Sequence, residues 1–239
     1  MVSLQPLLLD CGNTSIKYQL GSESGRLSSV SSVMELVRSK AIGQVFVASV
    51  SSQGNDIKHL LTATGVSCIV LKVRQHWQGL TLCYQHPERL GIDRWLSLVS
   101  LAGGGQDVLV VDAGTALTID VMDHTDQHKG GYILPGLGLM RRSLVDDTFA
   151  LPAVSEAASV GLGQSTTECI ANGTLLALAA TVDSTIDRLQ WPQVSVYWTG
   201  GDADIIRAFS RHSGQSRMSL VFDGMKRLLA DRSYMETLL

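Results

Sequence analysis

Short apolar runs that end in an acid and a glycine turn occur twice along this chain of 239 residues. Leu7-Leu8-Leu9 runs into Asp10, Cys11-Gly12-Asn13-Thr14 supplies turn residues, and Ser15 to Leu20 resumes with Ile16, Tyr18 and Leu20 in alternation. The pattern predicts a strand, a tight turn and a second strand. Val108 to Val111 repeats it, ending in Asp112, with Ala113-Gly114-Thr115-Ala116 as the turn and Leu117 to Val121 as the return strand. The spacing from Asp10 to Asp112 is 102 residues, far too long for a solenoid repeat, so it implies two related domains.

Between the two hairpins the pattern alternates. Helices are expected over Ser31 to Ser39, Asn55 to Thr62 and Arg89 to Ala102, and strands over Val45 to Val50 and Cys68 to Val73. Gly103-Gly104-Gly105 stops the last helix and sets an expected boundary, with domains at 1–105 and 106–239. In the second half, helical spacing covers Leu139 to Val145, Ser165 to Arg188 and Asp204 to His212. Val194 to Trp198 and Leu220-Val221-Phe222 read as strands, and Gly224 to Leu229 opens a last helix. Such alternation argues for α/β layers.

Composition narrows the class. Hydrophobic residues make up 45% and charged residues 17%, the reverse of a disordered chain. The net charge of -3 lacks the basic excess of a nucleic-acid binder. The N-terminal apolar run is too short for a leader and no later stretch reads as spanning a membrane, so a cytoplasmic protein is expected. Cys11, Cys68, Cys83 and Cys169 form no paired motif, which fits a reduced setting.

Asp and Gly at a strand end are common turn formers, and either hairpin alone carries little information. Together they place two acids at equivalent strand ends, suited to face each other across a cleft. Backbone N–H groups around Gly12, Asn13 and Thr14, and the hydroxyl of Thr115, can hold phosphate oxygens. The carboxylates suit a water-mediated Mg²⁺ or another cation. No Walker A pattern is present. Lys17 reaches toward a phosphate or covers the sheet. Gly91-Ile92-Asp93-Arg94 offers a general base beside a cation, or a structural ion pair. Gly200-Gly201-Asp202 admits a flat ligand near the backbone, or is an ordinary turn with Asp202 or Asp204 as a cap. Thr166 or Thr167 starts a helix. His124 and His128 sit among polar residues in what reads as a solvated hairpin loop, and the histidines show no zinc spacing.

These motifs together resemble the type III pantothenate kinases, a branch of the acetate and sugar kinase/Hsp70/actin superfamily. The resemblance runs through Asp10 to Thr14, Tyr84, Gly91 to Trp95, Asp112 to Ala116 and Gly131 to Gly136. It continues through Ala150-Leu151-Pro152, Gly163 to Thr166, Gly173, Thr199-Gly200-Gly201 and Asp223-Gly224, nearly the whole chain in order. It implies duplicated ribonuclease H-like, actin-like domains, each a mixed sheet flanked by helices. It also implies transfer of the ATP γ-phosphoryl to pantothenate, the opening of coenzyme A synthesis, by a homodimer.

The residues from Asp10 through Cys11, Gly12, Asn13, Thr14, Ser15 and Ile16 to Lys17 would hold the ATP phosphates, with Asp10 helping to place Mg²⁺. Thr115 would be a second phosphate contact, and Gly200 and Gly201 would lie toward the adenosine. Asp112 would serve the monovalent cation, K⁺ or NH₄⁺. Asp93 would be the base, with Tyr84, Gly91, Ile92, Arg94 and Thr166 shaping the pantothenate pocket. Cys11 stands where an aliphatic residue is commoner in the family, and a small buried thiol fills that place. The competing readings are a sister kinase or phosphatase of the superfamily and a non-catalytic nucleotide-binding regulator. Retention of Asp10, Asp93 and Asp112 favours the enzyme.

Overall fold

The computed structural model describes residues 5–146, 159 and 161–238. The motif at 150–152 lies outside them. The chain divides into two compact units, one of residues 1–102 and 220–239, the other of residues 103–219. The expected division at 105/106 therefore misses one feature: the last twenty residues return to the first unit.

In the first unit, β1 (Leu7–Cys11), β2 (Ile16–Leu20) and β3 (Glu23–Leu27) form an antiparallel meander. After α1 (Val30–Ser39), β4 (Gln44–Ser49) lies parallel to β1. After α2 (Gln53–Ala63), β5 (Ser67–Val70) lies parallel to β4. The sheet order is β3-β2-β1-β4-β5. Every residue of β1 is buried, because the sheet is covered on both faces. Leu7, Leu9, Cys11, Val45 and Val47 pack with Val33, Val37, Ile57 and Leu61 of α1 and α2. Strand alternation then turns Leu8 and Asp10 to the opposite face.

A short hairpin, β6 (His76–Trp77) with β7 (Leu80–Thr81), and a 3-10 turn at Pro87–Arg89 lead to α3 (Ile92–Leu101). That helix is buried nearly all round.

In the second unit, β8 (Val108–Ala113), β9 (Ala116–Met122) and β10 (His128–Pro135) form another antiparallel meander. It is followed by α4 (Leu137–Asp146) and α5 (Thr166–Leu189). Next, β11 (Ser195–Thr199) lies parallel to β8, and after α6 (Ala203–Arg207) the short β12 (Gln215–Ser216) lies parallel to β11. The order β10-β9-β8-β11-β12 matches that of the first sheet strand for strand and direction for direction. Leu175, Leu178, Val182 and Ile186 of α5 fill the core under β8, β9 and β11. By length and composition α5 is apolar enough to cross a membrane, contrary to expectation. Half of its most apolar stretch is buried inside this unit, as in the core helix of a folded domain.

The chain then returns to the first unit as α7 (Leu220–Ala230) and α8 (Arg232–Glu236). The strand expected at Leu220-Val221-Phe222 is thus the first turn of a helix. Leu220, Val221, Phe222, Met225 and Leu228 are all buried, and a three-residue apolar run does not distinguish the two. Gly224 lets α7 lie against the Leu96 backbone of α3, where a Cβ would collide with the carbonyl. Arg227 donates to the Val99 and Ala102 carbonyls at 2.7 Å each, supplying the donors that the end of α3 lacks.

Candidate functional site

In the first unit, Asp10 precedes the last residue of a fully buried strand, and its turn closes through Gly12 N–H donating to the Ser15 carbonyl at 3.2 Å. Asn13 and Thr14 stand exposed at the tip. Asp10 is 8% exposed. It faces Lys17 across the ladder, and the Lys17 ammonium lies 3.7 Å from its carboxylate. Burial raises the Asp10 pKa, Lys17 pulls it back, and the negative charge of Asp93 adds to the rise. Asp10 and Asp93 are thus electrostatic neighbours, on the sheet face that α3 covers. Burial, with Asp10 nearby, pushes the Cys11 thiol up to about 12, so it stays protonated at neutral pH.

Asp93 sits in the first turn of α3, where a carboxylate is favoured by the helix N-terminus. Its Oδ1 accepts from the Arg94 N–H at 2.8 Å and folds back over Gly91, where a Cβ would come within 2.5 Å of it. Arg94 is 7% exposed and donates to the Tyr84 hydroxyl at 3.2 Å. Ile92 is buried beside them. Sequence reasoning named all of these, and the fold gathers Asp10, Lys17, Tyr84, Gly91, Ile92, Asp93 and Arg94 into one unit.

A cavity of about 500 Å³ opens beside this cluster. Glu88 to Ile92 line one side and Leu71 to Arg74 another.

In the second unit, Asp112 is half-buried on β8, paired with Thr118 of β9 and Thr199 of β11. The turn after it closes through Gly114 N–H donating to the Ala116 carbonyl at 2.9 Å, leaving Thr115 exposed. Two glycines press on this turn. Gly136 donates its N–H to the Thr115 carbonyl at 2.9 Å, and a Cβ there would collide with the Gly114 and Thr115 backbone. Gly200, at φ +94°, lies so close to Ala113 that it too has no room for a side chain. Gly201 is exposed beside it.

Thr166 lies in this second unit, not with Tyr84 and Asp93. It is the first residue of α5. The cap is Ser165, whose hydroxyl accepts from the Glu168 N–H at 3.2 Å while Glu168 accepts from Gln164 N–H at 2.7 Å. Asp202 is the N-cap residue of α6 but its side chain makes no capping bond.

One expectation is overturned. His128 is not in a solvated loop: it is 2% exposed, with Nε2 at 3.0 Å from Oδ1 of buried Asp120. A register shift between His128 and Gly130 accompanies that placement. Sequence reasoning also missed Arg141, which donates to Thr174 and Ala171 at 3.4 Å each, with Asp202 electrostatically close. Nothing in the local pattern marks either. His124 is exposed as expected, 3.1 Å from Asp107.

Comparison with known proteins adds to this geometry. The family profile described as type III pantothenate kinase matches residues 6–188. A type III pantothenate kinase of Acinetobacter baylyi is 35% identical over 221 residues, spanning 86% of this chain and 89% of that one. One of Alcanivorax borkumensis is 32% identical, spanning 94% and 98%. Among solved structures, a Campylobacter jejuni protein assigned to the Baf family of transcriptional activators superposes with a TM-score of 0.67 at 24% identity. It covers 94% of this chain and 97% of its own, a likeness of fold.

Proposed function

The chain belongs to the type III pantothenate kinase family and catalyses ATP-dependent phosphorylation of pantothenate, and from that premise we propose how its residues divide the work. Asp93 is the base that takes the proton of the pantothenate hydroxyl, or orients that hydroxyl as the proton leaves late. The observation that carries this reading is the seating of Asp93: it stands in the first turn of α3, its Oδ1 accepts from the Arg94 N–H at 2.8 Å, and it belongs to the same unit as the buried Asp10 hairpin.

The hairpin from Asp10 to Lys17 takes the ATP phosphates on backbone N–H groups and the Lys17 ammonium. Thr115 contacts phosphate from the second hairpin, and Gly200 and Gly201 leave a bare backbone for the adenosine. Tyr84, Gly91, Ile92 and Arg94, all of the first unit, shape the pantothenate pocket. Positioning and charge compensation do most of the work of phosphoryl transfer.

The residues fit the cations the family implies. Asp10 is a buried carboxylate only partly compensated by Lys17, which suits Mg²⁺ held through water. Among the described residues no group of three His, Cys, Asp or Glu side chains could form a protein cage. That fits an ion held mainly by phosphate and water, whose charge stabilises the transferring group. Asp112 at its strand end suits the monovalent cation, K⁺ or NH₄⁺.

The matching strand orders support duplicated ribonuclease H-like, actin-like domains. The exposed outer stripe of α5, Gly173, Leu176, Ala177 and Ala180, beside exposed Ile133 and Leu139, supports a homodimer through this surface. The absence of a disulfide among the described residues is in keeping with a reduced, cytoplasmic setting, and the net charge of -3 with the lack of a nucleic-acid partner; no membrane partner is proposed.

A coupled assay with ATP, Mg²⁺ and K⁺ tests the reading. Wild-type protein releases ADP only when pantothenate is present, and less when Na⁺ replaces K⁺. Asp93→Asn lowers kcat by about 10²- to 10⁴-fold with ATP affinity retained. Undiminished turnover in that variant removes Asp93 from the role, and pantothenate-independent or absent turnover of wild type favours the regulator.

A further inference from the structure

We propose that Tyr234, in the C-terminal helix α8, is a positioning residue for the pantothenate pocket, tying the Leu71–Arg74 wall of the cavity to the helix that carries Asp93. The proposal rests on the reading that the cavity beside Gly91 and Ile92 receives pantothenate.

The wall needs outside support. Strand β5 ends at Val70, and the last ladder bond on this edge runs from Leu71 N–H to the Val47 carbonyl at 2.8 Å. Beyond it the chain pairs with no strand among the described residues, yet its backbone groups still require partners. Tyr234 provides them. Its hydroxyl accepts from the Lys72 N–H at 3.0 Å and donates to the Lys72 carbonyl at 2.8 Å, so one phenol oxygen serves both sides of the residue.

Two neighbours reinforce the contact. Arg74 donates to the Thr237 hydroxyl at 2.6 Å and its guanidinium lies 6.0 Å from the centre of the Tyr234 ring. Trp77 donates its indole N–H to Asp231 at 2.9 Å, and Asp231 in turn caps α8.

The same ring reaches the opposite wall. Tyr234 is 4% exposed, and its centroid lies 5.9 Å from that of Trp95, two residues beyond Asp93 on a buried helix. A single side chain therefore spans the two segments that border the cavity: the one after β5 through hydrogen bonds and α3 through ring packing. Shifting Lys72 moves Val73 and Arg74 with it. The ATP-gripping hairpin β1–β2 lies outside this chain of contacts, so the effect falls on one substrate.

Steady-state kinetics of the full-length protein tests this. Tyr234→Phe keeps the ring against Trp95 and removes the hydroxyl. The KM for pantothenate rises about three- to tenfold, the scale of one or two lost hydrogen bonds, while the KM for ATP stays within about twofold. Thr237→Val, which removes the shorter of the two bonds from Arg74 to that residue and leaves the one to its carbonyl, moves the pantothenate KM the same way but less. An unchanged pantothenate KM overturns the proposal, and so does an equal rise in both constants, which marks a general loss of structure. Ile92→Ala separates the two layers of the argument. If Ile92→Ala raises the pantothenate KM and Tyr234→Phe does not, the positioning role alone fails. If neither variant raises it, the assignment of the cavity fails with it.

Discussion

Asp123 shows how a single carboxylate holds a turn that matters here only through its neighbours. It follows β9, and its Oδ1 accepts from Thr125 N–H at 2.9 Å, Gln127 N–H at 3.0 Å and the Thr125 hydroxyl at 2.7 Å. Burial works against its charge, but the Lys129 ammonium and these donors outweigh it and hold the carboxyl well below the usual range. A folded pKa below the unfolded value of 3.8 makes Asp123 stabilising above that value, and the contribution fades as pH falls toward the folded pKa. Asp123→Ala therefore lowers the thermal midpoint at neutral pH, and the deficit against wild type narrows once the pH drops below 3.8. Thermal scans of both proteins across that range check it. A deficit that stays constant with pH would refute the electrostatic cause. At this scale Asp10, Asp93 and Asp112 stood out in the sequence because each lies two residues from a turn glycine. Asp120 and His128 were not, because their meeting depends on strand register, which leaves no mark on either residue's neighbours.

The element that defines the second hairpin is a turn pressed by two glycines from distant parts of the chain. Gly200 combines a left-handed φ of +94° with contact against Ala113, and Asp202 N–H donates to the Ala113 carbonyl at 3.0 Å. A methyl group here has to move the β8 backbone and adopt a disfavoured conformation. Gly200→Ala should cost about 2 kcal/mol or more of stability and weaken ATP binding more than pantothenate binding. Denaturant unfolding and equilibrium titration with each ligand measure the two effects. Full stability in the variant would show that β11 and β8 have slack the structure denies. Strand-turn-strand pairs and long periodic helices were legible because alternation and helical spacing persist over many residues. The first turn of α7 was misread as a strand because three apolar residues fit both periods.

For the whole molecule, the outer stripe of α5 is the surface that the proposed dimer covers. The inner side of this helix fills the second core, while Leu176 is 60% exposed and Ile133 on β10 is 63% exposed. Leu176→Glu should shift the proposed dimer to monomer without unfolding the unit, as sedimentation at micromolar concentration would read. A variant that keeps the wild-type mass would place the interface elsewhere. Sequence alone determined the two hairpins, the alternation of strands and helices and the family. These are local or cumulative signals: a few turn residues, a period, and many weak motifs in order. Only tertiary structure decided that the last twenty residues leave the second unit for the first. Only it decided that Tyr234 bonds to Lys72 across 162 positions and that Gly136 and Gly200 converge on one turn. Such contacts are decided by packing between segments far apart in the chain, and no local periodicity encodes them. Asp10 and Asp112, alike as strand ends, differ in the same way. Asp10 has Asp93 and Lys17 around it, and Asp112 lies between Thr118 and Thr199.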